Sequence, residues 1–129
     1  MAGLMYVIRA LEDGTHRITK TERGVNGLQP IYNAIGAQYV EIASRGKIGG
    51  VPVALLCDEE GLFVPNPRRN LTAADVRAVA ESAAPYYALV GDCALVHDDE
   101  LRGFTDEEIA KIERVLNDGG FPLYEGREI

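Results

Sequence analysis

The run Val51-Pro-Val-Ala-Leu-Leu-Cys57 constrains the fold more than any other part of the chain. It is apolar on both faces of an extended strand, so it belongs in the interior of a sheet. Proline cannot donate to a ladder, which confines Pro52 to the start of that strand or to a bulge. Just upstream, residues 38 to 43 alternate, with Val40 and Ile42 on one face and Tyr39 and Glu41 on the other, the pattern of a half-buried strand. The segment between them, Ser44-Arg-Gly-Lys-Ile-Gly-Gly50, reads as a loop.

Further extended segments surround this pair. Leu4 to Leu11 is rich in strand formers and ends at Glu12-Asp13-Gly14, where Asp-Gly signals a hairpin. Thr15 to Thr21 can return as its second strand. With His16, Arg17 and Lys20 around Ile18, it is expected at a sheet edge, where charge discourages further pairing. Leu62 to Val64 is a short run broken by Pro65-Asn66-Pro67, and Cys93 to Val96 reads as another strand.

Three helices are expected. Leu28, Ile31, Tyr32 and Ile35 fall at i, i+3, i+4 and i+7 over 28–35, with Pro30 in the first turn and Gly36 as the stop. Thr72 with Asp75, and Thr105 with Glu108, each look like an N-cap followed by an acidic N3 residue. Leu71/Val76 and Phe104/Ile109 form the matching staples. These open helices over about 73–84, stopped by Pro85, and 106–117, stopped by Gly119. The expected fold is a single α+β domain over 1–129 with a five- or six-stranded, largely antiparallel sheet. The tail, 119–129, either packs back on the body or stays mobile, and the sequence leaves both open.

At 129 residues with 47% apolar and 26% charged composition, one core forms without help from disulfides or metal. The longest apolar stretches fall far short of the roughly 20 residues that span a bilayer, and no basic segment precedes the first of them. A soluble, cytoplasmic protein without a membrane association is expected. Cys57 and Cys93 lie inside apolar runs and read as buried free thiols. There is no Cys-x-x-Cys, and His16 and His97 are far apart, so no metal and no cofactor is expected. The first fifty residues carry six Lys/Arg against four Asp/Glu, and the remainder seven against sixteen. An acidic half repels phosphate backbones, which argues against duplex nucleic acid as a partner.

Several motifs fall short of chemistry. Gly46-Lys47 lacks the Ser/Thr and the first glycine of a P-loop. Gly24-Val-Asn-Gly27 lacks the rest of a dinucleotide fingerprint and reads as a turn leading into a helix. Asp58-Glu59-Glu60 and His97-Asp98-Asp99-Glu100 read as solvated turns, although carboxylates of this kind are what a metal-dependent hydrolase would use. Cys93 and His97 on one strand are about 13 Å apart at roughly 3.3 Å per residue, too far for a dyad. Cys57 with His97 across neighbouring strands stays open.

Arg68 and Arg69, at the entrance to the second helix, are the strongest candidates for contact with an anion, together with Arg45 and Lys47 from the other loop. Tyr39, Tyr86 and Tyr87 are candidate interface aromatics.

The order of Tyr39-Val-Glu-Ile-Ala, the glycine-rich turn, Val51 to Cys57, Asp58-Glu-Glu-Gly-Leu62, Pro65-Asn66, Gly91-Asp-Cys-Ala-Leu-Val96 and Thr105-Asp-Glu-Glu-Ile109 resembles a family of small, mostly phage-encoded proteins known as a domain of unknown function. The resemblance covers residues 28–113. It implies a phage source, and hence the host bacterial cytoplasm. It also implies an Asn followed closely by Arg, carried here by Asn66 with Arg68 or Arg69 and interrupted by Pro67. It implies no activity. With no nucleophile, base and charge stabiliser together, the expectation is a non-catalytic accessory protein that binds a host macromolecule, in host takeover or counter-defence. The alternatives are a binder of a small, anionic, nucleotide-like ligand and, last, a metal-dependent hydrolase. A homo-oligomer is left open.

Overall fold

The computed structural model describes residues 3–10, 16–25, 27–60, 69–81 and 89–127, with backbone alone at 16 and 124–127. Among these residues six strands and three helices form one α+β domain. In chain order they are β1 (Leu4–Ala10), β2 (His16–Glu22), α1 (Gln29–Ile35), β3 (Val40–Ile48), β4 (Val51–Asp58), α2 (Leu71–Glu81), β5 (Cys93–His97), α3 (Asp106–Asp118) and β6 (Leu123–Arg127). The sheet order is β3-β4-β5-β1-β2-β6, antiparallel throughout except for the parallel β2–β6 pair. No helix among the described residues is long and apolar enough to cross a membrane.

Both faces of the sheet are covered, which is why β4 has no polar side. One layer holds Tyr6, Ile8, Val53, Leu55, Cys57, Cys93, Leu95 and Phe104 with Val76 of α2 and Ile112 and Leu116 of α3. The other holds Met5, Val7, Ala54, Leu56, Ala94 and Val96 with Ile31 and Ile35 of α1. Alternate residues of each central strand therefore feed opposite layers. Pro52 stands second in β4, where the strand begins.

Four sequence expectations are corrected. Ser44 to Ile48 is strand rather than loop: Ile48 pairs with Val51, and Gly49-Gly50 alone makes the turn. Both glycines have positive φ, 60° and 81°, which a two-residue turn of this hand requires. The second strand, β2, is interior rather than an edge, because Leu123 and Arg127 of the tail pair with its Ile18 and Lys20. Its charge is accommodated there, Lys20 Nζ lying 2.8 Å from Glu113 of α3. Residues 123–127 thus form the sixth strand, while 62–64 lie outside the described residues.

The third and fourth corrections concern α2. Asn70, not Thr72, caps it: the Asn70 side-chain oxygen accepts from the Ala73 N–H at 3.0 Å, and its backbone carbonyl from Ala74. Thr72 is buried inside the first turn, and Leu71 is exposed rather than stapled. The physical reason is that Asn70 is held from outside, its amide donating to the carbonyls of Ile8 and Gly91 at 2.8 and 2.9 Å. By contrast, α3 begins as its sequence dictates, with Thr105 and Glu108 closing a reciprocal capping box.

α2 crosses β3 at very close range. A methyl group added at Gly46 would come within 2.2 Å of the Ala80 carbonyl oxygen. At this crossing Arg77 Nε lies 2.9 Å from Glu81, and the Ser44 hydroxyl donates to Glu81 at 2.6 Å.

Candidate functional site

The sheet has two ends, and the register sorts the candidate residues between them. Arg45 and Lys47 oppose Ala54 and Pro52 in β4, near the end where β5 finishes. Arg45 is exposed and pairs with Asp98, just past β5. Arg69 forms an isolated bridge with Val90, ahead of the start of β5 and so at the other end. The structure does not bring Arg69 together with Arg45 and Lys47. Asn66, Arg68, Tyr86 and Tyr87 lie outside the described residues. Tyr39 is exposed beside the outer strand β3, on which Ile42 is also exposed.

Thiol chemistry has no partner geometry among the described side chains. The register sets His97 opposite Val53, four residues from Cys57, so a Cys57–His97 pair spans about 13 Å, which closes the alternative left open by the sequence. His97 is committed on both sides: Nδ1 accepts from the Asp99 N–H at 2.9 Å, and Nε2 lies 3.2 Å from Glu108. The Cys57 thiol is pushed up to about 12, chiefly by burial and then by Glu41, to which it donates. Burial pushes Cys93 up as well. Both thiols stay protonated and unreactive at neutral pH.

The carboxylate runs are occupied locally. Asp58 accepts from the Glu60 N–H at 2.9 Å, and Asp98 binds Arg45. Among the described residues no three His, Cys, Asp or Glu side chains converge on one point. Gly46 and Lys47 sit within the β3–β4 ladder, where no phosphate-cradling loop exists.

A feature with the properties of a site lies at the same end as Arg45, between the exit of β2 and the exit of β5. It is a cleft of about 310 Å³ lined by Arg23, Gly24, Val25, Gly27, Leu28, Glu100, Arg102 and Gly103. That volume is at the small end of ligand pockets.

Arg23 follows β2 directly and is only 5% exposed. Its guanidinium is held by three backbone carbonyls: Nε donates to Leu101 at 2.6 Å, Nη2 to Gly27 at 2.9 Å, and Nη1 to Gly24 at 3.5 Å. No carboxylate among the described residues pairs with it, and burial pulls its pKa below the ordinary guanidinium value. Carbonyl dipoles orient this cation without neutralising it. Of its five N–H groups, three are engaged by described residues, and two have no described partner.

Arg102 differs. It holds Glu108 through two bonds of 2.9 Å, and its charge is neutralised there. That fork, followed by the Thr105 N–H and His97, holds the Glu108 carboxyl down at about 2.

The cleft wall between these arginines is strained. Asp99 to Arg102 is a tight turn closed by Arg102 N–H to Asp99 C=O at 3.2 Å, and its two central residues, Glu100 and Leu101, have φ of 54° and 57°. Glycine or asparagine normally fills such positions; a side chain there costs about 1–2 kcal/mol per residue. The bond from Arg23 to the Leu101 carbonyl helps to hold the turn, and Leu101 packs against the α1 layer. Glu100 is exposed on the cleft rim and makes no hydrogen bond or ion pair among the described residues. Val25, 74% exposed, and Leu28 supply the apolar part of the lining.

Sequence reasoning did not single out Arg23. The available signal was an arginine set directly before Gly24-Val-Asn-Gly27, but the burial of its guanidinium is decided by the turn after β5, nearly eighty residues later. No protein-family model matches the chain, and no curated protein or solved structure proves similar to it.

Proposed function

We propose that this chain is a non-catalytic binding protein that captures a small anion in the Arg23 cleft. The observation that carries the reading is a nearly buried guanidinium, oriented by backbone carbonyls and unneutralised by any described carboxylate, at a cleft of ligand size. Burying an uncompensated charge is costly, and a bound anion offsets that cost. The commitment of His97 to Glu108 and Asp99, and the raised thiol pKa values, support a role without catalysis. The origin in a phage genome and action in the host cytoplasm belong to the same proposal, on the resemblance over residues 28–113. The nucleotide-like ligand expected near Arg68 and Arg69 is moved, in this reading, to the opposite end of the sheet and reduced in size.

The test is an NMR titration with sodium acetate and, separately, inorganic phosphate. Arg23 Nε–H is hydrogen-bonded and should give a resolved signal. Shifts of that signal and of the Gly24, Gly27 and Gly103 amides are expected. Shifts confined to other surfaces would remove the proposal.

A second reading, recognition of a host protein, is favoured by exposed Tyr39 and Ile42 at the outer strand. Aromatic and aliphatic anchors with a polar surround are the usual core of such surfaces. Tyr39→Ala should then weaken retention of the host partner, whereas anion capture is indifferent to it.

A further inference from the structure

The anion reading leaves the rim of the cleft unexplained. A site for a simple anion would avoid carboxylates, yet Glu100 lines this one, without a partner among the described residues and in a backbone conformation that its side chain disfavours. The cleft therefore presents a cation on its floor, a carboxylate at its rim, and the apolar surfaces of Val25 and Leu28 beside them.

We infer that the ligand is a small zwitterion of the α-amino-acid type with an apolar side chain. Its carboxylate is received by the Arg23 guanidinium, its ammonium by Glu100, and its side chain by Val25 and Leu28. This inference rests on the small-anion reading and narrows it. Three features of the cleft select the class. Arg102 is already neutralised by Glu108, so the floor offers a single net positive charge, enough for a monoanion and too little for a polyphosphate. The Glu100 carboxylate repels a second negative group and attracts a positive one. A volume of about 310 Å³ takes one amino acid with some water, not a nucleotide with its phosphates.

The turn chemistry agrees. The positions of Glu100 and Leu101 are those where Asn-Gly would relieve all strain. With Glu and Leu there instead, the rim gains a carboxylate and the α1 layer gains a packed side chain, while Arg23 fixes the Leu101 carbonyl. Strain of this kind gathers where a wall must be held in one shape for a ligand.

The experiment uses the full chain and four probes: L-leucine, L-leucinamide, N-acetyl-L-leucine and 4-methylpentanoate, each titrated while the Arg23 Nε–H signal and the cleft amides are followed. L-leucine should bind most tightly, with the loss of either charge weakening it. Glu100→Gln should weaken L-leucine about three- to fivefold, the range for a partly exposed ion pair, and leave 4-methylpentanoate unchanged or slightly tighter. Glu100 is exposed and this variant should fold as the parent does, so a lost response is not a lost fold. Equal affinity for L-leucine and 4-methylpentanoate, or indifference of L-leucine to Glu100→Gln, overturns the zwitterion inference and leaves the anion reading standing. If acetate, phosphate and all four probes leave the cleft signals unmoved, the anion reading falls as well.

Discussion

Asn70 is the residue whose replacement tests the packing argument most sharply. It is fully buried, and every polar group it owns is used: the side-chain oxygen caps α2 at Ala73, the amide donates to Ile8 and Gly91, and the backbone N–H donates to Leu89. Asn70→Ala removes the cap, worth about 1 kcal/mol, and strips a donor from two enclosed carbonyls. Each orphaned carbonyl costs about 1 kcal/mol, the low end of the usual range, because Ile8 and Gly91 oxygens have a second lone pair that can find a partner. The expected loss is about 3 kcal/mol, a large part of the roughly 5–15 kcal/mol a domain of this kind possesses. Urea unfolding followed by circular dichroism measures it, with an unchanged slope showing that the native compactness is kept. Asn70→Asp separates cap from amide. It preserves the cap but turns acceptors toward two carbonyls, so its carboxyl pKa must rise above the unfolded value. A raised carboxyl pKa means the native state holds the proton longer, so the stability of this variant should fall as pH rises above about 4. A loss below about 1 kcal/mol for Asn70→Ala, or an Asn70→Asp variant as stable at pH 7 as at pH 4, would show that water replaces the amide and that the junction is not sealed.

Other outcomes follow from the same structure. Gly46→Ala should cost about 3 kcal/mol through overpacking, and Ala80→Gly should not rescue it, because the clash is with the Ala80 carbonyl rather than its methyl; restored stability in the double variant refutes this. Neither Cys57 nor Cys93 should react with a thiol reagent at pH 8 in the native state, and two equivalents should react in denaturant, read by intact mass. Because the Glu108 carboxyl is held down at about 2, it contributes stability that is fully present above its unfolded value and lost as pH falls through the ordinary carboxylate range toward 2. Glu108→Gln should flatten that part of the acid-unfolding profile, and an unchanged profile would assign the acid sensitivity elsewhere.

Local chemistry was legible wherever one segment decides its own structure. The interior placement of Val51 to Cys57, the 28–35 helix stopped by Gly36, and the Thr105/Glu108 capping box depend on residues within a few positions of one another. The α2 cap was misread because two equally good caps, Asn70 and Thr72, stand two residues apart. The choice between them is made by carbonyls of Ile8 and Gly91 that no local pattern reveals. β2 was misread for a similar reason. Its charges suit an edge, but Glu113 of α3 meets Lys20, and the tail supplies the partner strand. The cleft is the extreme case: its floor comes from Arg23, Gly24, Val25, Gly27 and Leu28 and its rim from Glu100, Arg102 and Gly103, each unremarkable alone.

The strand order has a consequence for how the chain reaches its native state. The hairpin of β1 and β2 is made first by the ribosome, yet it is inserted between β5 and β6, and neither flank exists until residues 93–97 and 123–127 have emerged. During synthesis the hairpin waits with both edges open. Meanwhile β3 and β4 pair locally across Gly49-Gly50 and can form early. Completion therefore requires two long-range loop closures onto the hairpin, which makes the waiting hairpin the segment most exposed to mispairing with other nascent chains.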